Sequence, residues 1–335
     1  MLNTKLSYIL LVIIFVSSIA IIYQIQLTKL YDRLIKLERI QEKYESSNSK
    51  KEEKDLALES NVMVLYNRVP KTASTSFVGV AYDLCKRNNF HVLHVNITAN
   101  NHMLSLENQL KFAKNISNWN NIKPALYHGH FAYLDFSKFG MPNPLYINLI
   151  RKPLDRFISY YYFVRYGDDY RPHLIRRKHG NTMSFDECVL KKLPDCDPNN
   201  MWLQIPFFCG HSVNCWKPGN KWALNEAKKN LINKYFLVGL TEELGDFISV
   251  LEQSLPRLFK GASDHYLNSN RSHLRQTVQK DIPSEETVKK IKESLIWQME
   301  NEFYEFALEY FHFIKKFGFK NKLQNVMYEK IRPKG

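Results

Sequence analysis

Four short, largely apolar runs punctuate the chain between residues 61 and 335: Val62–Tyr66, Ala125–His128, Leu145–Ile150 and Tyr235–Leu240. The first is apolar throughout instead of alternating, the pattern of a strand buried on both faces. Three of the runs lead into helical sequence: Ser74–Lys86, the aromatic stretch Phe157–Phe163, and a segment that starts near Thr241. Strands that alternate with helices predict an α/β fold, a central parallel sheet flanked by helices on both faces. Toward the end of the chain, Ile291, Leu295, Met299, Phe303, Phe306 and Tyr310 keep helical spacing between Ser284 and Phe317. A hydrophobic content of 44% with 13% aromatics is enough to fill one such core.

The N-terminal part has a different character. Leu6–Tyr23 holds no charged side chain and follows Lys5, near the lower limit of about 17–25 residues for a membrane-spanning helix. It reads as an uncleaved signal-anchor at 6–23 behind a cytoplasmic tail at 1–5. Ser17, Ser18 and Ala20 keep a cleavable signal peptide as the rival reading. Lys29 and Arg33 balance Lys5, so charge does not set the orientation. Leu27, Leu30, Leu34, Leu37 and Tyr44, with Gln41 in one slot, form a short a/d seam. Such a seam serves either a coiled coil that bundles several chains or a solitary charged stalk. Polar and charged residues fill Ser46–Glu59, a linker that completes a stem at 24–60 and leaves 61–335 as the globular domain.

Three N-glycosylation acceptors, at Asn96, Asn115 and Asn270, fit a lumenal domain. Cys188, Cys196, Cys209 and Cys215 cluster in one region, as two local disulfides in an oxidising compartment would require, and Cys85 is left over as a buried thiol. Zinc is the alternative for four clustered cysteines, disfavoured by the lack of a C-x-x-C spacing.

Lysine and arginine outnumber aspartate and glutamate by 47 to 33, a net charge of +14 that suits a polyanionic partner without choosing among nucleic acid, membrane and glycan. Pro70–Ser76 lies where a strand meets a helix N-terminus, a ready anion site to which Lys71 adds charge and Thr72, Ser74, Thr75 and Ser76 add hydroxyls. The logic is that of a P-loop, yet the glycines of a Walker motif are absent, which excludes an ordinary nucleoside triphosphate site; an N-cap cluster beside an exposed lysine is the bland alternative. Arg151 at a strand end and Ser159 in the following helix form a second candidate anion clamp. His128 and His130 lie two apart at a strand end, where both rings can address one site and a near-neutral imidazole can take a proton from a hydroxyl. A metal pair and two hydrogen-bonded wall histidines compete with that reading, and no third ligand stands nearby at metal spacing. Arg165, Arg171, Arg176, Arg177, Lys178 and the distant Arg275 form either a basic rim or a solvated face.

The chain resembles the heparan sulfate 2-O-sulfotransferases in several stretches, in order, between Asn61 and Lys334. These are Tyr66–Phe77 (YNRVPKTASTSF), Tyr127–His130 (YHGH), Tyr146–Arg151 (YINLIR), Gly167–Pro172 (GDDYRP), Phe207–His211 (FFCGH), Ser272–Arg275 (SHLR) and Met299–Phe306 (MENEFYEF). The resemblance implies a PAPS-dependent sulfotransferase fold and transfer of sulfuryl to the 2-hydroxyl of uronic acid, mainly iduronic acid, in heparan sulfate. It implies that Lys71, Thr72, Ala73, Ser74 and Thr75 hold the 5′-phosphosulfate, that Arg151 and Ser159 hold the 3′-phosphate, and that Tyr266, Ser272, Thr277 and Lys280 belong to a loop over the nucleotide. His130 would be the base, with His128 its neighbour and Lys71 the third catalytic group. Arg68, Tyr82, His94, Tyr160, Arg171, Arg176, Arg275 and Lys330 would meet the glycan. Disulfides 188–196 and 209–215, a homotrimer, and a single-pass type II protein of the Golgi membrane are implied in the same way, with no nucleic acid as partner. Lys152 departs from the acidic residue more usual in the family at that position. The sister uronyl 2-O-sulfotransferases of dermatan and chondroitin sulfate lack the Pro-Lys-Thr-Ala-Ser loop and the intact His-Gly-His. They remain the alternative, beside a catalytically silent glycan-binding protein.

Overall fold

The computed structural model describes residues 62–96, 102–169, 171–268 and 277–318. The expected anchor at 6–23, the stem at 24–60, and Asn270, Ser272, Arg275 and Lys330 lie outside the described residues.

Five strands form one all-parallel sheet: β1 (Met63–Asn67), β2 (His91–His94), β3 (Ala125–Gly129), β4 (Leu145–Ile150) and β5 (Tyr235–Leu240). Their order is β2-β3-β1-β4-β5. The central strand β1 pairs with β3 through Leu65 and Tyr127 and with β4 through Leu65 and Tyr146. Val64, Leu65, Leu126, Ile147 and Leu149 are fully buried, as strands covered on both faces must be.

The helices follow from local signals. Helix α1 (Ser74–Cys85) begins where the loop after β1 ends. Ser105 caps α2 (Leu106–Asn118) through Asn108 N–H. Pro153 opens α3 (Pro153–Tyr166) at its first turn, where a missing N–H costs nothing. Further along lie α4 (Gln204–Cys209), α5 (Lys221–Lys234), α6 (Leu244–Ser254) and α7 (Leu295–Phe313). The C-terminal helical stretch is divided: a short helix, Glu285–Lys292, precedes α7, and Ser294 caps the second piece by accepting from Trp297 N–H at 3.2 Å. The helix expected near Thr241 starts at Leu244, after a 3-10 turn. Among the described residues no helix is long and apolar enough to cross a membrane.

The end of β1, the inside of β4 and the start of β5 share a buried polar knot. Asn67 Oδ1 accepts from Asn148 Nδ2 at 3.0 Å and from the Tyr235 hydroxyl at 3.0 Å, and Asn148 Nδ2 also donates to the Asn67 carbonyl at 2.8 Å. Buried amides persist only when bonded in this way, and here they tie three strands together. Cys188–Cys196 and Cys209–Cys215 are disulfides. Cys85 is half-buried instead of buried, because it sits on a partly exposed face of α1 and donates to the Tyr82 carbonyl.

Candidate active site

All five strands deliver their C-terminal ends to one cleft of about 1670 Å³. Such a crevice is where open parallel sheets bind ligands. His94 follows from β2, Arg68 and Lys71 from the loop after β1, His130 from β3, Arg151 from β4 and Thr241 from β5.

The loop wall is built on strained backbone. Lys71 and Ala73 adopt positive φ, 69° and 54°, a left-handed conformation that costs a non-glycine residue about 1–2 kcal/mol. Ala73 is the N-cap of α1 and no side chain caps the helix there. The N-terminal dipole of α1 therefore faces the cleft beside Thr72, Ser74 and Thr75. The loop makes both left-handed turns without a glycine.

Two cations flank one ring: Lys71 Nζ lies 4.1 Å from the Phe163 centroid, and the Arg176 guanidinium 4.4 Å from it. Arg176 is also paired at 2.9 Å with the fully buried Asp168. Arg151 Nη1 donates to the Lys71 carbonyl at 3.4 Å, so the two anion motifs read from sequence meet in space. The backbone of Arg151 is held by Gln204 through two bonds of 2.9 and 3.0 Å, and Gln204 in turn by the buried Glu300. Lys280 lies near Arg151; burial first, then that guanidinium, lower its pKa. Cations crowded like this favour an anion between them. Ser159, Tyr266 and Thr277 line the same space.

The histidine wall is different. Gly129 is required, because a Cβ there would stand 2.5 Å from the Val95 carbonyl. His130, one residue beyond β3, lines the cleft, and its Nδ1 lies 2.8 Å from the Arg68 carbonyl. A carbonyl only accepts, so Nδ1 carries the proton and Nε2 holds the lone pair. Burial, then the Arg68 charge, lower the His130 pKa to about 3, against the opposing effect of the carbonyl bond. His128 does not line the cleft: the chain leaves the strand after Gly129, so the two rings do not share a face there. His128 is buried, with Nε2 3.0 Å from the Tyr82 hydroxyl and its ring 5.0 Å from that of His94. Burial, then Arg68, then His94 lower its pKa to about 3. His94 reaches the cleft, and its pKa is lowered by burial, Arg68 and Arg171.

Tyr160, Arg176 and Arg177 line the cleft, whereas Tyr82 and Arg171 are not among the lining residues. The basic rim expected from sequence keeps Arg176 and Arg177 at the cleft and loses Arg165 and Lys178 as well as Arg171. Arg165 is buried against the Tyr161 ring and paired with Asp195 at 2.8 Å, and Lys178 is paired with the same carboxylate at 3.3 Å. Asp195 thus holds Arg165 in the core and pairs with Lys178 on the surface, away from the cleft. Asn96 is exposed at the cleft and Asn115 is exposed on α2. His102 and Phe163, which sequence reasoning missed, also line the cleft.

The profile of the sulfotransferase family matches residues 54–307. This chain belongs to the sulfotransferase family. It is an enzyme of that class, and its sheet and cleft fit the assignment. A Drosophila melanogaster protein named heparin sulfate O-sulfotransferase is 62% identical over 284 residues, covering 84% of this chain and 81% of the Drosophila protein. Heparan sulfate 2-O-sulfotransferase 1 of Mus musculus is 52% identical over 325 residues, covering 92% and 91%. The Gallus gallus protein of the same name is 51% identical over 341 residues, covering 97% and 96%. The resemblance carried by the sequence motifs is thereby borne out over most of the chain.

Proposed function

We propose that this sulfotransferase moves a sulfuryl group from PAPS to the 2-hydroxyl of uronic acid, mainly iduronic acid, in heparan sulfate, with His130 as general base. The observation that carries this reading is the meeting, in one cleft, of a cation-lined anion wall and an imidazole whose Nδ1–H is bonded to the Arg68 carbonyl, leaving Nε2 as the acceptor. The names of the relatives support the acceptor.

The donor fits the loop wall by the chemistry of its residues. PAPS supplies an activated sulfuryl on a phosphosulfate anhydride and a 3′-phosphate at its far end. Lys71, Thr72, Ala73, Ser74 and Thr75 would hold the phosphosulfate at the α1 N-terminus. Arg151 and Ser159 would hold the 3′-phosphate, with Lys280 neighbouring Arg151 and with Tyr266, Thr277 and Ser272 closing over the nucleotide. Lys71 would balance the charge left on phosphate as the sulfur–oxygen bond breaks. Preorganised charge of that kind is where such transfers gain most of their rate.

His130 Nε2 would take the acceptor's proton as the hydroxyl oxygen bonds to sulfur. An anion that pairs with Arg68 removes one cause of the low His130 pKa, so binding of an acidic glycan raises the proton affinity of the base. Arg68, His94, Tyr160, Arg176 and Arg275 would meet the chain's carboxylates and sulfates, with Lys330 beside them. His128 and Tyr82 would support this wall from behind.

We place the enzyme in the Golgi membrane as a single-pass type II protein, anchored at 6–23, with residues 61–335 lumenal. The two disulfides suit an oxidising compartment. The homotrimer rests on the family resemblance. Incubation with PAPS and 2-O-desulfated heparan sulfate, followed by disaccharide analysis, tests the activity. New 2-O-sulfated uronic acid is expected; sulfation only of dermatan or chondroitin chains, or of no chain, overturns the reading.

A further inference from the structure

His102 brackets the segment that follows the proposed base. Its Nδ1 lies 3.1 Å from the carbonyl of His130, and its own carbonyl accepts from Ala132 N–H at 3.0 Å. The carbonyl partner fixes the His102 tautomer: Nδ1–H donates. The ring rests on a firm support, with Phe207 at 4.9 Å between centroids and Trp216 stacked at 6.0 Å and 20°. Trp216 is held by its indole N–H to the Gly210 carbonyl at 3.0 Å, in the turn closed by Cys209–Cys215. Two neighbouring bonds complete the arrangement: His130 Nδ1–H donates to the Arg68 carbonyl, and Arg68 N–H donates to the Gly129 carbonyl at 2.7 Å. The side chain of His130 is thus fixed from one direction and its peptide from another.

We propose that His102 is a positioning residue for His130, using its Nδ1–H to fix the His130 peptide so that the base presents Nε2 to the acceptor. The proposal rests on the reading of His130 as base. A peptide that rocks about the end of β3 carries the imidazole away from the Arg68 carbonyl. The bond that keeps the proton on Nδ1 and the lone pair on Nε2 then weakens. Small displacements of a base are costly in rate, because proton transfer needs the heavy atoms within about 2.6–3.2 Å. Burial lowers the pKa of His102, which keeps the ring neutral and adds no charge next to the base.

The test separates ring packing from hydrogen bonding. His102→Phe keeps an aromatic ring against Phe207 and Trp216 but has no N–H; His102→Asn supplies an N–H without the ring. The tautomer of His130 is read from ring nitrogen-15 shifts in the full chain, with turnover, glycan KM and PAP affinity measured beside it. The wild type is expected as Nδ1–H. His102→Phe is expected as a mixture of tautomers, with kcat down about tenfold and KM and PAP affinity within about twofold. His102→Asn is expected to restore the Nδ1–H form and most of the rate. His102→Met is read in the same way if the phenyl ring is not accommodated. An unchanged His130 tautomer in the variant without N–H, or no recovery in His102→Asn, overturns the inference. The reading of His130 as base fails on a different result, normal turnover in His130→Ala.

Discussion

On one wall of the cleft, Lys71, Arg151 and Lys280 are cations gathered around strained backbone; on the other, His94 and His130 are rings kept neutral by burial and by Arg68, with His128 buried behind them. The first wall attracts an anion because its charges repel one another. The second can take a proton because its His130 ring is neutral, with Nδ1–H bonded to the Arg68 carbonyl and Nε2 left as the acceptor. Chemistry between an anionic donor and a neutral hydroxyl needs both, a place for negative charge and a neutral imidazole to take a proton.

The sharpest way to break this division is Lys71→Ala. If the loop wall stabilises charge that develops during transfer, the rate falls about 10²–10³-fold while PAP affinity falls far less. Equal losses in single-turnover rate and PAP affinity would make Lys71 an ordinary binding contact.

The histidine wall should show itself in acid stability. The folded-state pKa values of His128 and His130, about 3, lie below the unfolded value of about 6.5, and His211, half-buried away from the cleft where its Nδ1 accepts from Leu104 N–H at 3.0 Å, is lowered to about 4 in the same sense. Between those values the unfolded chain binds more protons, so stability is full above about pH 6.5 and is lost as pH falls toward about 3. The slope is at most about 1.4 kcal/mol per pH unit for each group. Denaturant titrations at pH 7 and pH 5 should give a clearly lower midpoint at pH 5. Equal midpoints would mean that these rings titrate normally.

Phe163 sharpens the comparison, because one ring supports a cation of each proposed site. Phe163→Leu removes both cation–π contacts, each about 0.5–2 kcal/mol, and should weaken PAP and raise glycan KM together by a few-fold. A change confined to one of the two would show that the ring supports only that site. The smallest effect is Ala73→Gly, which relieves positive φ. It should stabilise the fold by up to about 1 kcal/mol in thermal unfolding, and a destabilised variant would show that Ala73 carries no strain.

How much of this was legible in sequence depended on whether the signal was local. β4 and β5 could be read because a parallel strand buried on both faces is a continuous apolar run. β2 could not: it is an edge strand, His-Val-Leu-His, with both ends exposed. The first apolar run ends at Tyr66, yet β1 continues through Asn67, whose amide Asn148 and Tyr235 satisfy from strands far along the chain. The loop from Lys71 to Thr75 stood out as a cluster of hydroxyls and a lysine at a strand–helix junction. Arg165 and Arg176 looked alike in the sequence. Asp195 takes one into the core and Asp168 sets the other at the cleft, and no spacing foretells which. His102 gave no signal, because its partner is a backbone carbonyl supplied by a distant strand end.

The central claim is that the two walls do separate work, and His130→Ala tests it most directly. PAP binding by calorimetry and turnover on heparan sulfate are measured on the same preparation. The account predicts that turnover falls about 10²–10⁴-fold, the usual contribution of a general base, while PAP affinity stays within about twofold. Near-normal turnover, or a loss of PAP binding that matches the loss of turnover, would contradict it.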